Sequence, residues 1–169
     1  MSGKSTSADA IEVIVDGMFT TRHAFEAESG LLGELTVPAF RREATFLAPE
    51  GQEFTIRSTS WLGGRYEMRS GEEILATSHR RGAFRQAIDI EYRDSLYSAV
   101  PVGAFRQGWY LVDAVEMQLL KFQPRGAFRR GAYLEILAPV RLELIVLFYF
   151  LVYQRKQEEA AAASAGASS

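Results

Sequence analysis

Short stretches of alternating apolar and polar residues occupy most of the chain, and near its end they give way to a stretch with no polar face. Ala87-Ile-Asp-Ile-Glu-Tyr92 puts Ile88, Ile90 and Tyr92 on one side and Asp89 and Glu91 on the other. This is the period of a half-buried strand. The same alternation predicts twelve strands, over residues 11–15, 22–28, 31–37, 43–48, 53–58, 65–70, 73–79, 86–92, 96–102, 108–113, 117–123 and 132–137. Turn signals such as Glu28-Ser-Gly30, Pro49-Glu-Gly51 and Ser70-Gly-Glu72 separate them.

Over residues 144–153 nothing is more polar than tyrosine. A helix that is apolar all round must be enclosed by protein or by lipid. The apolar part falls short of the roughly 20 residues a bilayer span needs, and Glu143 interrupts it, which favours a buried core helix over a membrane span. The expected helix covers residues 139–156, with Pro139 in its first turn and Arg155 and Lys156 at the negative end of its dipole. Residues 1–10 lack an apolar core and read as a flexible N-terminus rather than a signal peptide. The Ala/Ser-rich residues 157–169 cannot build a core and read as a disordered tail, with at most a brief prolongation of the helix.

Twelve antiparallel strands suit a closed barrel, which leaves no edge exposed. Eight strands are filled by their own side chains and sixteen leave a channel. Twelve leave an intermediate lumen that a helix about 10 Å across fills. The lengths agree: about 14 helical residues span roughly 21 Å, and six strand residues roughly 20 Å. The expected fold is therefore mainly β, a twelve-stranded antiparallel barrel enclosing one hydrophobic C-terminal helix.

Superposed on the alternation is a repetition. Gly82-Ala-Phe-Arg-Gln86, Gly103-Ala-Phe-Arg-Gln107 and Gly126-Ala-Phe-Arg-Arg130 recur about 22 residues apart, a period that fits two strands and two turns. Pro38-Ala-Phe-Arg-Arg42 and the degenerate Trp61-Leu-Gly-Gly-Arg65 continue the series upstream. Each copy joins an odd-numbered strand to an even one, so an up-and-down barrel gathers them at one rim. That rim collects Arg41, Arg42, Arg65, Arg80, Arg81, Arg85, Arg106, Arg125, Arg129 and Arg130, while Glu28, Glu50, Glu72, Glu73, Asp94, Asp113 and Glu116 collect at the other. Glu43 and Arg93 are the exceptions. Guanidinium groups match phosphate geometry, so the basic rim is a candidate site for phosphate or a phospholipid head group. The competing reading is that each arginine solvates a turn or covers a phenylalanine with its stem. Phe40, Phe84, Phe105 and Phe128 are expected to plug the core at that rim rather than to serve as membrane-inserting tips.

The paired-strand repeats ending in Phe-Arg, followed by Ala138-Pro-Val-Arg-Leu-Glu-Leu-Ile-Val-Leu-Phe-Tyr-Phe150, resemble the tubby-like C-terminal superfamily, in particular its LURP-one-related and phospholipid-scramblase-like branch. The resemblance covers about residues 11–156. It implies a twelve-stranded barrel around a central hydrophobic helix. It also implies phosphoinositide binding through basic residues, or action at membranes. The Cys-rich and Pro-rich segments of the eukaryotic scramblases are absent, so lipid scrambling is not implied.

Composition narrows the remaining classes. The chain of 169 residues fits one domain, and 47% hydrophobic and 24% charged residues are ordinary for a globular protein. A net charge of −2 provides no global attraction to nucleic acid or membrane, so an electrostatic function must come from local segregation. The absence of cysteine removes disulfides, thiolate nucleophiles and Cys-based zinc sites. Neither His23 nor His79 sits in a catalytic motif, and no nucleophile elbow, metal-ligand cluster or nucleotide fingerprint is present. Glu143 stays open between a partner of Arg141 near a rim and a buried carboxyl. The expectation is a non-enzymatic binding module without cofactor, cytoplasmic or peripheral at a membrane. Its candidate partners are an anionic lipid or phosphate, or else an acidic protein; nucleic acid is disfavoured by the net charge.

Overall fold

The computed structural model describes residues 10–39, 43–82, 86–103, 108–126 and 129–167. The strands are β1 (Ala10–Asp16), β2 (Thr20–Ala27), β3 (Gly30–Pro38), β4 (Glu43–Leu47), β5 (Glu53–Ser58) and β6 (Arg65–Ser70). They continue with β7 (Glu73–Arg80), β8 (Ile88–Tyr92), β9 (Ser95–Pro101), β10 (Trp109–Asp113), β11 (Gln118–Pro124) and β12 (Gly131–Ile136), and one helix follows, α1 (Leu142–Gly166). Each strand pairs antiparallel with the next and β12 pairs back onto β1, closing the sheet into a twelve-stranded barrel. The expected fold class is the observed one.

Closure depends on a glycine. In the β1–β12 ladder Ile14 lies opposite Gly131 and Val13 opposite Ala132. Gly131 has φ +113°, and a Cβ there would fall 1.9 Å from the Val13 carbonyl oxygen. A side chain at this position would push the first and last strands apart.

Alternation decides what faces inward. In β8, Ile88, Ile90 and Tyr92 are buried while Asp89 and Glu91 face out, and β4 and β5 repeat the pattern with Ala44, Phe46, Phe54 and Ile56. The outward positions hold charges such as Glu12, Arg57, Glu67, Asp89 and Lys121. A lipid-spanning barrel would instead present an apolar band there. Among the described residues no helix is long and apolar enough to cross a membrane.

The helix is the common packing surface of the strands. Every α1 residue from Glu143 to Val152 is buried. The Tyr149 ring meets Phe25 of β2 at 5.1 Å and Phe122 of β11 at 6.1 Å, and Phe150 meets Tyr66 of β6 at 5.2 Å. Opposite arcs of the wall thus touch one helical turn, edge-on at Phe25 and Tyr66 as aromatic quadrupoles prefer and tilted at 35° at Phe122.

Both helix ends differ from expectation. α1 starts at Leu142 rather than Pro139, because Arg141 is still extended (φ −74°, ψ 145°) and serves as N-cap. At the far end the helix does not give way after Lys156 but runs to Gly166 with its last two turns and more exposed. Propagating a helix already nucleated inside the barrel costs little, and alanine has the best helix propensity. Arg155 bridges to Glu158 at 3.8 Å and to Glu159 at 3.5 Å across the point where the helix was expected to end. Arg155 and Lys156 therefore lie mid-helix, too far from the C-terminus to complement the dipole.

Candidate functional site

Because the strands alternate in direction, every connection from an odd to an even strand lies at one end of the barrel, and α1 leaves the barrel there. The described members of the predicted arginine set all sit in or beside these connections: Arg65 opens β6, Arg80 closes β7, Arg81 follows it, and Arg125, Arg129 and Arg130 connect β11 to β12. Arg41, Arg42, Arg85 and Arg106, with Phe40, Phe84, Phe105 and Phe128, lie outside the described residues. Glu28, Glu50, Glu72, Asp94 and Glu116 occupy the connections at the opposite end. There the buried Glu143 stands in the first turn of α1, where a carboxylate complements the helix dipole. It makes no ion pair with Arg141.

The six described arginines differ in what they hold. Arg81 turns to the outer wall, where its Nε donates to both Asp89 carboxylate oxygens at 3.1 Å and its Nη2 reaches Ser98 Oγ at 3.1 Å. That hydrogen bonding holds the Asp89 carboxyl below the usual range. Both residues line an outer-wall groove of about 460 Å³ across β7–β10, away from the barrel mouth. Arg125 pairs with Glu12 of β1 at 2.6 Å across the closure, and Arg130 Nη1 donates to the Gly17 carbonyl at 2.5 Å. These three serve the wall, Arg81 and Arg125 through ion pairs with strand carboxylates and Arg130 through a turn carbonyl.

At the mouth the situation is different. Arg65 and Arg129 are exposed and make no ion pair among the described residues. Arg80 is paired with Glu158, a residue supplied by the part of α1 that emerges from the barrel. Lys156 Nζ lies 6.0 Å from the centre of the Phe122 ring, and partial burial lowers its pKa. Between α1 and the wall is a cavity of about 260 Å³ lined by Val37, Ala44, Tyr66 and Phe150, with Glu43 and Gln154 at its polar side.

Two features at this end were not anticipated from sequence. The β1–β2 connection exposes Met18 and Phe19, and the β5–β6 connection exposes Trp61 and Leu62. The signal was present: large apolar residues stand where Gly17 and Gly63-Gly64 mark turns, positions that ordinarily take polar side chains. Just below the mouth, His23 of β2 is wholly buried. Its Nδ1 lies 2.7 Å from Tyr149 Oη and its Nε2 2.8 Å from Thr21 Oγ1, which in turn lies 3.4 Å from the Val37 carbonyl. One donor order satisfies all three: Tyr149 donates to Nδ1, Nε2–H donates to Thr21, and Thr21 donates to Val37. Burial, followed by the charge of Arg130, lowers the His23 pKa from 6.5 to about 4, so the ring is neutral and holds the helix to the wall. His79 is exposed on the outer wall, 3.6 Å from Asp89.

No family model matches this chain, and no curated protein and no solved structure does either.

Proposed function

We propose that this chain is a tubby-like barrel of the LURP-one-related and scramblase-like type, acting without catalysis as a binding module for anionic phospholipid head groups or phosphate at its basic end. The observation that carries the reading is the pair of exposed arginines at the mouth, Arg65 and Arg129, that no acidic side chain of the described residues neutralises. Guanidinium groups left unpaired at separate points of the mouth, beside others already fixed in place, make this end basic, and phosphate is the anion whose oxygens match their fork. The opposite end repels the same ligand, so binding orients the barrel. A cytoplasmic protein peripheral at a membrane follows from this reading.

A second reading takes an acidic protein as the partner. It is favoured by the Arg80–Glu158 pair, in which the rim already accepts a carboxylate presented by a helix. Sedimentation with vesicles separates the two. Lipid binding requires anionic head groups and weakens as salt screens the charges. Failure to sediment with anionic vesicles at low salt would favour the protein partner.

A further inference from the structure

We propose that the basic end docks edge-on into an anionic bilayer, with the β1–β2 and β5–β6 connections entering the lipid interface as two apolar tips. The proposal rests on the lipid form of the reading above and goes further by adding insertion to charge attraction.

Exposure identifies the tips. Among the described residues five large apolar side chains are more than two-thirds exposed: Met18 at 87%, Phe19 at 72%, Trp61 at 85%, Leu62 at 94% and Val115 at 81%. The first four share the arginine end, whereas the acidic end exposes Val115 and, less fully, Leu31, Leu47, Ile74, Leu96 and Met117, all beside carboxylates that an anionic surface repels. Apolar side chains this exposed mark a candidate interaction surface at each tip, and the charges beside them select its partner. Arg22 follows the first tip, and Arg65 closes the second. Apolar and aromatic tips flanked by exposed arginines fit the boundary between anionic head groups and acyl chains, where tryptophan settles and basic residues meet the lipid charge.

Both tips are held in shape before any partner arrives. Asp16 Oδ1 accepts the Gly17 N–H at 2.7 Å while Arg130 holds the Gly17 carbonyl. In the second tip Thr59 N–H donates to the Arg65 carbonyl at 3.0 Å, and the Gly63 N–H and the Ser58 hydroxyl both reach the Ser60 carbonyl. Little ordering remains to be done on insertion. The second tip borders the cavity of about 260 Å³ between α1 and the wall, yet Trp61 and Leu62 remain exposed at its mouth.

Tryptophan fluorescence tests the proposal directly. The chain has two tryptophans, and Trp109 is buried in the wall, so a lipid-dependent change reports Trp61. The full chain is mixed at low salt with phosphatidylcholine vesicles containing phosphatidylserine. Emission should shift to the blue and be quenched by lipids brominated along the acyl chain. The double variant Phe19→Ser, Leu62→Ser should lose at least tenfold in vesicle affinity with an unchanged thermal transition. Vesicle binding with no shift, no quenching and no effect of the double variant would overturn insertion and leave head-group binding standing. No association with anionic vesicles at all would overturn both. Self-association without lipid that the double variant abolishes would make the tips a contact between two copies, which also overturns the proposal.

Discussion

His23 on the second strand and Tyr149 on the central helix are hydrogen-bonded at 2.7 Å although 126 residues separate them in the chain. The bond joins wall to core at a depth where neither group reaches water. The site requires a neutral imidazole: Nδ1 then accepts from Tyr149, whereas a protonated ring would have to reverse that bond and carry its charge into the core.

That requirement gives the barrel a pH dependence. The folded pKa of His23 is about 4 against 6.5 when unfolded, so in the interval between them the unfolded chain binds more protons. Stability contributed by the neutral ring is therefore complete above pH 6.5 and falls as the pH drops toward 4. Urea unfolding at pH 5 should give a free energy about 2 kcal/mol below that at pH 7 from this residue. His23→Gln should be less stable at pH 7 and should lack that difference. An unchanged pH 5 to pH 7 difference in the variant would show that other groups cause it.

The enclosed helix makes a second prediction. Phe148 is completely buried, and the closed sheet around it cannot collapse onto a gap. Phe148→Ala should cost about 3–5 kcal/mol, read from denaturant midpoints at constant slope. A chain ending at Ala138 should be insoluble or lack a cooperative thermal transition, since the inward faces of the strands lose their shared partner. A soluble, cooperatively melting fragment would show that the wall is stable without its core.

Glu158 is predicted to restrain the rim. It pairs with Arg80 and draws Arg155 to 3.8 Å, so its charge occupies cations at the mouth. Glu158→Gln should raise affinity for anionic vesicles by about twofold to fivefold, the scale of a half-exposed ion pair. The thermal transition should hardly move, because the residue lies beyond the buried part of α1. Weaker vesicle binding by the variant would mean that Glu158 positions Arg80 for the ligand rather than competing with it.

Much of this architecture can be read in the chain, and the reasons are local. The bounds of β5 and β6 agree with expectation at both ends because Glu53-Phe-Thr-Ile-Arg57 alternates cleanly and turn residues close each side. The end of the helix was not legible. Its Ala-rich extension buries nothing, so it looked like a tail, yet the enclosed turns before it had already overcome nucleation. Arg81 was grouped with the mouth because its connection is there, but cross-strand neighbours set its direction, with Asp89 opposite His79 and Ser98 opposite Asp89. His23 carried no motif, since its partners come from the next strand and from the far end of the chain. Met18, Phe19, Trp61 and Leu62 were passed over for a related reason. A single sequence marks a residue as apolar but does not say whether any core remains for it to enter.

The claim on which the functional account turns is that anion binding belongs to one end of the barrel. Two variants remove equal charge from opposite ends: Arg65→Gln with Arg129→Gln at the mouth, and Arg93→Gln with Arg141→Gln at the acidic end. Both sites are exposed, so both variants should fold as the parent does. Sedimentation with phosphatidylserine-containing vesicles at low salt should show binding reduced about tenfold or more in the first variant and little changed in the second. Equal losses in the two, or a loss confined to the second, would contradict a binding site at the arginine rim.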